Sequence, residues 1–328
     1  MLALPVGVRL SKLHASLGLA LLSLFLLACS GDDTPETASG PRFLLATTEG
    51  LIERNSSGER TLLSFDDGSY IFDPAVSPDG KRIAFIRQAP ASVDVAGNVD
   101  FGADLYVVDA NGRNSRELLH HTRTGEFLRN PAWLSNDELL INIRGRHPAG
   151  LPDLRVERLN VTSGQRQRLL QDAVEIGIAP DAKSFAFVHI EPNTQREQLM
   201  LFDMASGQSQ ALTQFDSPLV FIVSIVFAPD GNTVAFAAAD PSTGSLPGPA
   251  SRPAHPTLQD AWLVDKDGAN LRRLAELAES QPSLEWTSDG RALYALGTGS
   301  LWLIEATTGA MEQLGPGITF GQIRLLSD

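Results

Sequence analysis

Cysteine is all but absent: the 328-residue chain has one, Cys29. A single thiol excludes an intramolecular disulfide and any structural zinc site built from cysteines. Basic residues are also in short supply. Lys and Arg total 26 against 39 Asp and Glu, a formal charge of −13. A nucleic-acid-binding surface needs a basic face to neutralise phosphates, so nucleic acid is excluded as a partner. Long apolar runs are missing after residue 28. The longest, residues 219–228, has 10 residues, about half of what a membrane-spanning helix requires, and reads as a buried strand. There is no Gly-x-Ser-x-Gly elbow, no glycine-rich phosphate loop and no other catalytic constellation. The chain is therefore read as a non-enzyme with no cofactor and no bound metal. What is present is a 43% apolar composition with 28 Gly and 20 Pro, which suits a packed, turn-rich β protein.

Residues 1–28 have the layout of a secretory signal. Arg9, Lys12 and His14 precede a 14-residue apolar stretch, Ala15 to Ala28. As a helix it would rise ~21 Å, short of the ~30 Å hydrocarbon core. Leu26-Leu27-Ala28-Cys29 resembles the bacterial lipobox, in which the cysteine becomes the lipidated first residue of the mature chain. Ser30, not Asp, follows it, which in enteric bacteria implies the outer membrane. Several acyl chains anchor a protein where one is marginal. Cleavage would remove two basic residues and no acid, deepening the charge from −13 to −15. Residues 29–42 are polar and lack an apolar face, so they read as the lipidated cysteine and a flexible tether.

The remainder, residues 43–328, repeats. A strand followed by a Ser-Pro-Asp-Gly-like turn recurs with its acid or amide at Asp79, Asn136, Asp181, Asp230 and Asp289, at spacings of 57, 45, 49 and 59. A second strand and turn end in Gly112, Gly164, Gly207, Gly268 and Gly309. Glycine supplies the positive φ that tight turns need. Each unit therefore holds four short strands, A to D. Residues 43–65 supply strands B, C and D without an A, and residues 318–326 supply an A with nothing after it. Pairing the two ends would make six four-stranded units and hide both sheet edges. The turn motif and four-strand unit resemble the TolB-like branch of WD-repeat-like propellers. The resemblance implies an all-β fold: a six-bladed β-propeller of four-stranded antiparallel blades, closed by the C-terminal strand joining the N-terminal blade. It implies a scaffold and no single activity.

In such a ring the A–B and C–D turns share one face, and the B–C and D–A loops share the other. The B–C loops are the irregular ones: residues 88–103, 145–152 and 240–259. Long loops on one face of a rigid scaffold mark a binding surface. The candidate residues are Asp94, Asp100, Phe101 and Asp104 in the first insertion, Arg144, Arg146 and His147 at the shorter one, and Asp240, Arg252 and His255 in the last. Strand alternation sends the adjacent His120 and His121 to opposite faces, against joint metal ligation. The turn acids Asp79, Asp230, Asp265 and Asp289 are expected to cap their own turns, and Trp133, Trp262, Trp286 and Trp302 to pack between blades. The functional expectation is a lipid-anchored, periplasm-facing envelope protein. It would dock a protein or peptide of the envelope, with the membrane engaged through the N-terminal lipid. The alternative is a metal-assisted lyase or hydrolase acting on a glycan at the channel mouth.

Overall fold

Short apolar runs alternating with polar residues, each stopped by a glycine turn, leave little room for helix. The computed structural model describes residues 40–93, 99–100, 102–146, 152–243, 258–319 and 321–326. Among them there is no α-helix, only a 3-10 turn at Pro241–Thr243. No described helix is long and apolar enough to cross a membrane. The signal segment, Cys29 and nearly all of the tether lie outside the described residues, as do Asp94, Phe101, His147, Arg252 and His255.

The first meander is β1 (Arg42–Thr47), β2 (Gly50–Asn55) and β3 (Gly58–Leu63). The second is β4 (Tyr70–Val76), β5 (Arg82–Gln88), the short rungs β6 (Ser92–Val93) and β7 (Val99–Asp100), then β8 (Ala103–Asp109) and β9 (Arg116–Leu119). The third is β10 (Phe127–Ser135), β11 (Glu138–Arg146), β12 (Pro152–Asn160) and β13 (Arg166–Gln171). The fourth is β14 (Ala173–Ile178), β15 (Ser184–Ile190), β16 (Glu197–Asp203) and β17 (Ser209–Ala211). The fifth is β18 (Val220–Phe227), β19 (Thr233–Ala239), β20 (Gln259–Asp265) and β21 (Arg272–Glu279). The sixth is β22 (Ser283–Trp286), β23 (Ala292–Leu296), β24 (Ser300–Glu305) and β25 (Met311–Pro316), after which β26 (Gln322–Leu326) ends the described chain.

The last strand returns to the first. β26 pairs antiparallel with β1, Arg42 opposite Leu326 and Ala46 opposite Gln322. This gives a four-stranded sheet ordered β26-β1-β2-β3. The strand is shorter than the 318–326 read from sequence. It starts at Gln322, after a turn in which the Gly321 N–H donates to the Ile318 carbonyl (2.9 Å). The fourth, fifth and sixth meanders are separate four-stranded sheets. The second and third are not. A single parallel bridge, Phe127 opposite Ala103, joins them into one eight-stranded sheet. The long β10 begins early enough for Phe127 to reach the start of β8.

The core is divided into clusters, each buried between two successive meanders. Phe85, Phe185 and Phe236 are fully buried, one in each of three such clusters. The sixth cluster spans the two ends of the repeat: Phe43, Leu45 and Ile323 against Tyr294, Leu296 and Leu301. Phe43 meets Tyr294 edge-on, ring centroids 4.8 Å apart at 82°. The opening strands touch in the order β4, β10, β14, β18, β22, β26 and back to β4.

Ile323 is fully buried in that last cluster. Ile323→Ala is expected to lower unfolding free energy by roughly 2–5 kcal/mol, the range for removing a buried isoleucine side chain. Urea denaturation followed by tryptophan fluorescence checks this; a loss below ~1 kcal/mol would mean the end-to-end contact contributes little to the folded state.

Candidate functional site: the inner-strand cavity and its mouth

The opening strands of the meanders line a cavity of about 700 Å³, to which β4, β10, β14, β18, β22 and β26 all contribute residues. A second cavity of about 320 Å³ shares Asp73, Asn130 and Arg324 with it and lies among residues where these strands begin. Chain direction puts that mouth on the face carrying the B–C and D–A connections.

One sequence position recurs at the mouth. Asp73, Asn130, Glu175, Ser224 and Ser283 each stand six residues before a turn acid or amide, so their spacing repeats that of the turns. Four of them are non-glycine residues with positive φ: Asp73 (50°), Asn130 (48°), Glu175 (50°) and Ser224 (53°). Each falls in a register shift of its strand pair, between Phe72 and Ala75, Arg129 and Ala132, Val174 and Ile176, or Val223 and Val226. A bulge bends the strand and re-aims the extra side chain. Here the side chains reach the next opening strand. Asp73 Oδ2 accepts from the Asn130 N–H (2.9 Å), Ser224 Oγ from Leu284 N–H (2.7 Å) and Ser283 Oγ from Ile323 N–H (3.2 Å). Gln322 Oε1 accepts from the Asp73 N–H. Asn130 Nδ2 donates to Glu175 Oε2 (3.2 Å). Left-handed backbone in non-glycine residues costs of order 1–3 kcal/mol and persists where the surroundings hold it. The hydrogen bonds to neighbouring strands do so.

Charges alternate around the mouth. Arg129 Nε lies 2.6 Å from Asp73 Oδ2, and Gln322 Nε2 donates to Asp73 Oδ1 (2.6 Å). Burial pushes the Asp73 pKa up, but the Arg129 guanidinium and the Asn130 and Gln322 hydrogen bonds outweigh it and hold the carboxyl well below the usual range. Arg144 Nη2 lies 2.5 Å from Glu175 Oε1, and its Nε donates to Asn142 Oδ1 (2.7 Å). Glu285, beside Arg324 (3.8 Å), behaves differently. Burial pushes its pKa up to about 7, against the opposing pull of Arg324 and the Leu325 N–H. It titrates near neutral pH and faces the larger cavity.

The turn acids act as expected except Asp265, whose carboxylate accepts from the Asn270 side-chain amide (2.6 Å) while the Ala269 N–H goes to Asp267 (2.9 Å). Asp79, Asp181, Asp230 and Asp289 each accept the backbone N–H two residues on, at 3.1, 3.0, 2.9 and 3.0 Å. Asn136 instead accepts from the Asp79 N–H (3.1 Å) of the preceding turn. The Trp133 and Trp286 indoles donate to the carbonyls of Ala75 (3.0 Å) and Val226 (3.3 Å) in the preceding meander. Trp262 and Trp302 pack against buried clusters.

Of the loop residues proposed for binding, the structure disperses some and gathers others. Arg144 belongs to β11 and turns inward to Glu175, so it joins the cavity mouth and not an insertion. Arg146 ends β11, its carbonyl accepting from Arg123 (3.3 Å). Asp240 caps the short turn after β19 through the Ser242 N–H (2.8 Å). Asp100 and Asp104 come together on His121: Asp100 Oδ2 is 2.9 Å from His121 Nε2 and Asp104 Oδ1 is 2.7 Å from His121 Nδ1. His120 Nδ1 is 3.0 Å from the other oxygen of Asp104. The expected divergence of the two histidines is therefore wrong. β9 ends at Leu119, so strand alternation does not govern them, and their rings lie 4.3 Å apart.

Exposed apolar side chains favour the same face. Tyr70 and Phe221 begin inner strands, Phe215 lies in a D–A loop, and Val93 and Leu258 lie at the B–C insertions; their exposures run from 41% to 65%. Only Leu271 and Leu314 among the described large exposed apolar residues lie elsewhere.

By sequence, no family model matches the chain and no curated protein does. By structure, it resembles TolB from Acinetobacter baumannii, with a TM-score of 0.59 at 16% identity over 86% of this chain and 66% of that one. A putative TolB from Agrobacterium tumefaciens gives 0.59 and 16% over 89% and 100%. A puromycin-hydrolyzing peptidase from Mycobacterium tuberculosis gives 0.53 and 15% over 83% and 43%. The fold is thus the TolB-like propeller type. The chain spans just under two thirds of the Acinetobacter protein and less than half of the peptidase.

Glu285 yields a pH signature. Its unfolded pKa is near 4.5 and its folded value about 7. Between those values the folded state binds more protons, so this group's contribution to stability falls as pH rises from ~4.5 to ~7. Glu285→Gln should remove that slope and stabilise the protein above pH 7 by up to roughly 3 kcal/mol. Urea midpoints at pH 5 and pH 8 measure it; equal shifts at both would contradict the assignment.

Proposed function

We propose that the chain is a closed six-bladed propeller, tethered to the cell envelope through a lipid on Cys29, that docks a protein or peptide segment over its cavity mouth. The cyclic order of strand contacts and the end-to-end core cluster support the closed ring. The Leu26–Cys29 motif supports the anchor. The observation that carries the docking role is the company the mouth keeps. Five exposed apolar side chains share its face with Arg129, Arg144 and Arg324. Apolar anchors beside oriented charges are the composition of a protein-docking surface. Asp73 and Glu175 hold Arg129 and Arg144 in place, so these guanidiniums meet a partner already oriented. The peptidase's activity, by contrast, belongs to a protein of which this chain matches less than half.

Glu285 favours a second reading. A carboxyl with a pKa near 7 facing a cavity is suited to proton transfer. It would serve the glycan-directed lyase or hydrolase, and its test is turnover of oligosaccharides by the wild type and not by Glu285→Gln.

Docking is tested by cross-linking in intact cells. Phe221→Ala and Tyr70→Ala remove half-exposed side chains and should leave folding intact. Each is expected to reduce recovery of the cross-linked partner about tenfold, as loss of an interface anchor does. Undiminished recovery from both would eliminate this face as the docking site. Cys29→Ser should move the protein from the membrane fraction to the soluble one; retention in membranes would refute the lipid anchor.

A further inference from the structure

We propose that Asp104, His120 and His121 form a site for a divalent transition-metal ion of the zinc type, with Asp100 as its outer partner. The two imidazoles come from adjacent residues just past the end of β9. Free of the strand's pleat, the chain turns both Nδ1 atoms toward one carboxylate at the start of β8. The distances are 3.0 Å from His120 Nδ1 to Asp104 Oδ2 and 2.7 Å from His121 Nδ1 to Asp104 Oδ1. One ligand atom from each of the three residues fits within a 4.8 Å span. Donors bound tetrahedrally at zinc distances sit about 3.3 Å from one another, so the two imidazole–carboxylate contacts would open by a few tenths of an ångström as the three atoms settle from their present 4.8 Å span around an ion. Two imidazole nitrogens and a carboxylate oxygen are a set that zinc accepts and that magnesium and calcium, which prefer oxygen alone, do not.

The surroundings add a second, independent argument. A metal-ligating histidine commonly donates its far N–H to a carboxylate, which fixes the tautomer and leaves the lone pair on the ligating nitrogen. Asp100 Oδ2 stands 2.9 Å from His121 Nε2 in that role. Asp100 is itself held by the Gly102 N–H (2.8 Å). Gly102 is needed there: a Cβ at that position would come within 2.1 Å of the His121 ring. Among the described residues, the ion pairs of Asp100 and Asp104 are all with these histidines. His121 is 10% exposed and His120 62% exposed. The ion would thus be held from the protein side and open to water or a ligand on the other. It would tie three segments together: the β6–β7 insertion through Asp100, β8 through Asp104, and the β9–β10 connection through the histidines. None of this depends on the docking role of the cavity mouth.

The test is a Zn2+ titration of the full chain after chelator treatment, by isothermal calorimetry, with Mg2+ as the comparison. One zinc ion per chain is expected, and no comparable magnesium binding. His120→Ala and His121→Ala should each abolish the one-to-one event. Asp100→Asn should keep the stoichiometry and weaken affinity by roughly 10–100-fold. His120 is largely exposed, so its variant should fold as the wild type does by circular dichroism, and it decides the matter if His121→Ala is unstable. Absence of stoichiometric zinc binding in the wild type, or binding unchanged in His120→Ala, would overturn the proposal.

Discussion

The structure rests on a seam problem. Apart from the single Phe127–Ala103 bridge of β10, the opening strands have no hydrogen-bonding sheet partner on their inner side, yet their N–H groups are enclosed by neighbouring strands. Buried backbone donors left unpaired cost free energy comparable to a lost hydrogen bond. On four of the six opening strands the chain meets this with one side chain. Asp73, Ser224, Ser283 and Gln322 each accept an N–H from the next opening strand, and Asn130 reaches Glu175. Packing between meanders supplies the apolar burial, but these contacts set how the strands meet around the cavity.

The same device builds the mouth. Because four of the residues sit at bulges with left-handed backbone, their side chains leave the ordinary strand alternation and converge. Asp73 and Glu175 then recruit Arg129 and Arg144. What begins as backbone satisfaction thus ends as a ring of paired charges around an opening. Glu285 stands apart because Arg324 lies 3.8 Å away, too distant to offset the burial of its carboxylate fully. Structure and candidate function share one set of atoms here.

Charge is also buried where no cavity requires it. Arg155 is 4% exposed and surrounded by Glu126, Asp153 and Glu157 at 2.7, 2.7 and 2.8 Å. One guanidinium among three carboxylates fastens the β9–β10 connection, through Glu126, to β12. Such groups are paired because an isolated buried ion is far costlier than a bonded one. With the Asp100–His121–Asp104 cluster nearby in sequence, this part of the chain holds its long connections by polar contacts more than by apolar burial.

The sequence by itself determined the strands, the turns and their recurrence. These follow from local rules: alternation gives a strand, glycine permits the turn, and Asp79 or Asp289 accepts its own N–H two residues on. The pairing of the chain ends was legible too, since each fragment lacked what the other had. What only the tertiary structure decided lies where distant residues meet. The six-residue offset of Asp73, Asn130, Glu175, Ser224 and Ser283 was present in the sequence, but their direction depends on bulges whose partners lie on other strands. Arg144 reads as a loop residue until Glu175, 31 positions on, draws it inward. His120 and His121 read as divergent until β9 stops one residue before them. A side chain's heading is set by register and by what it can pair with, and both are properties of the assembled fold.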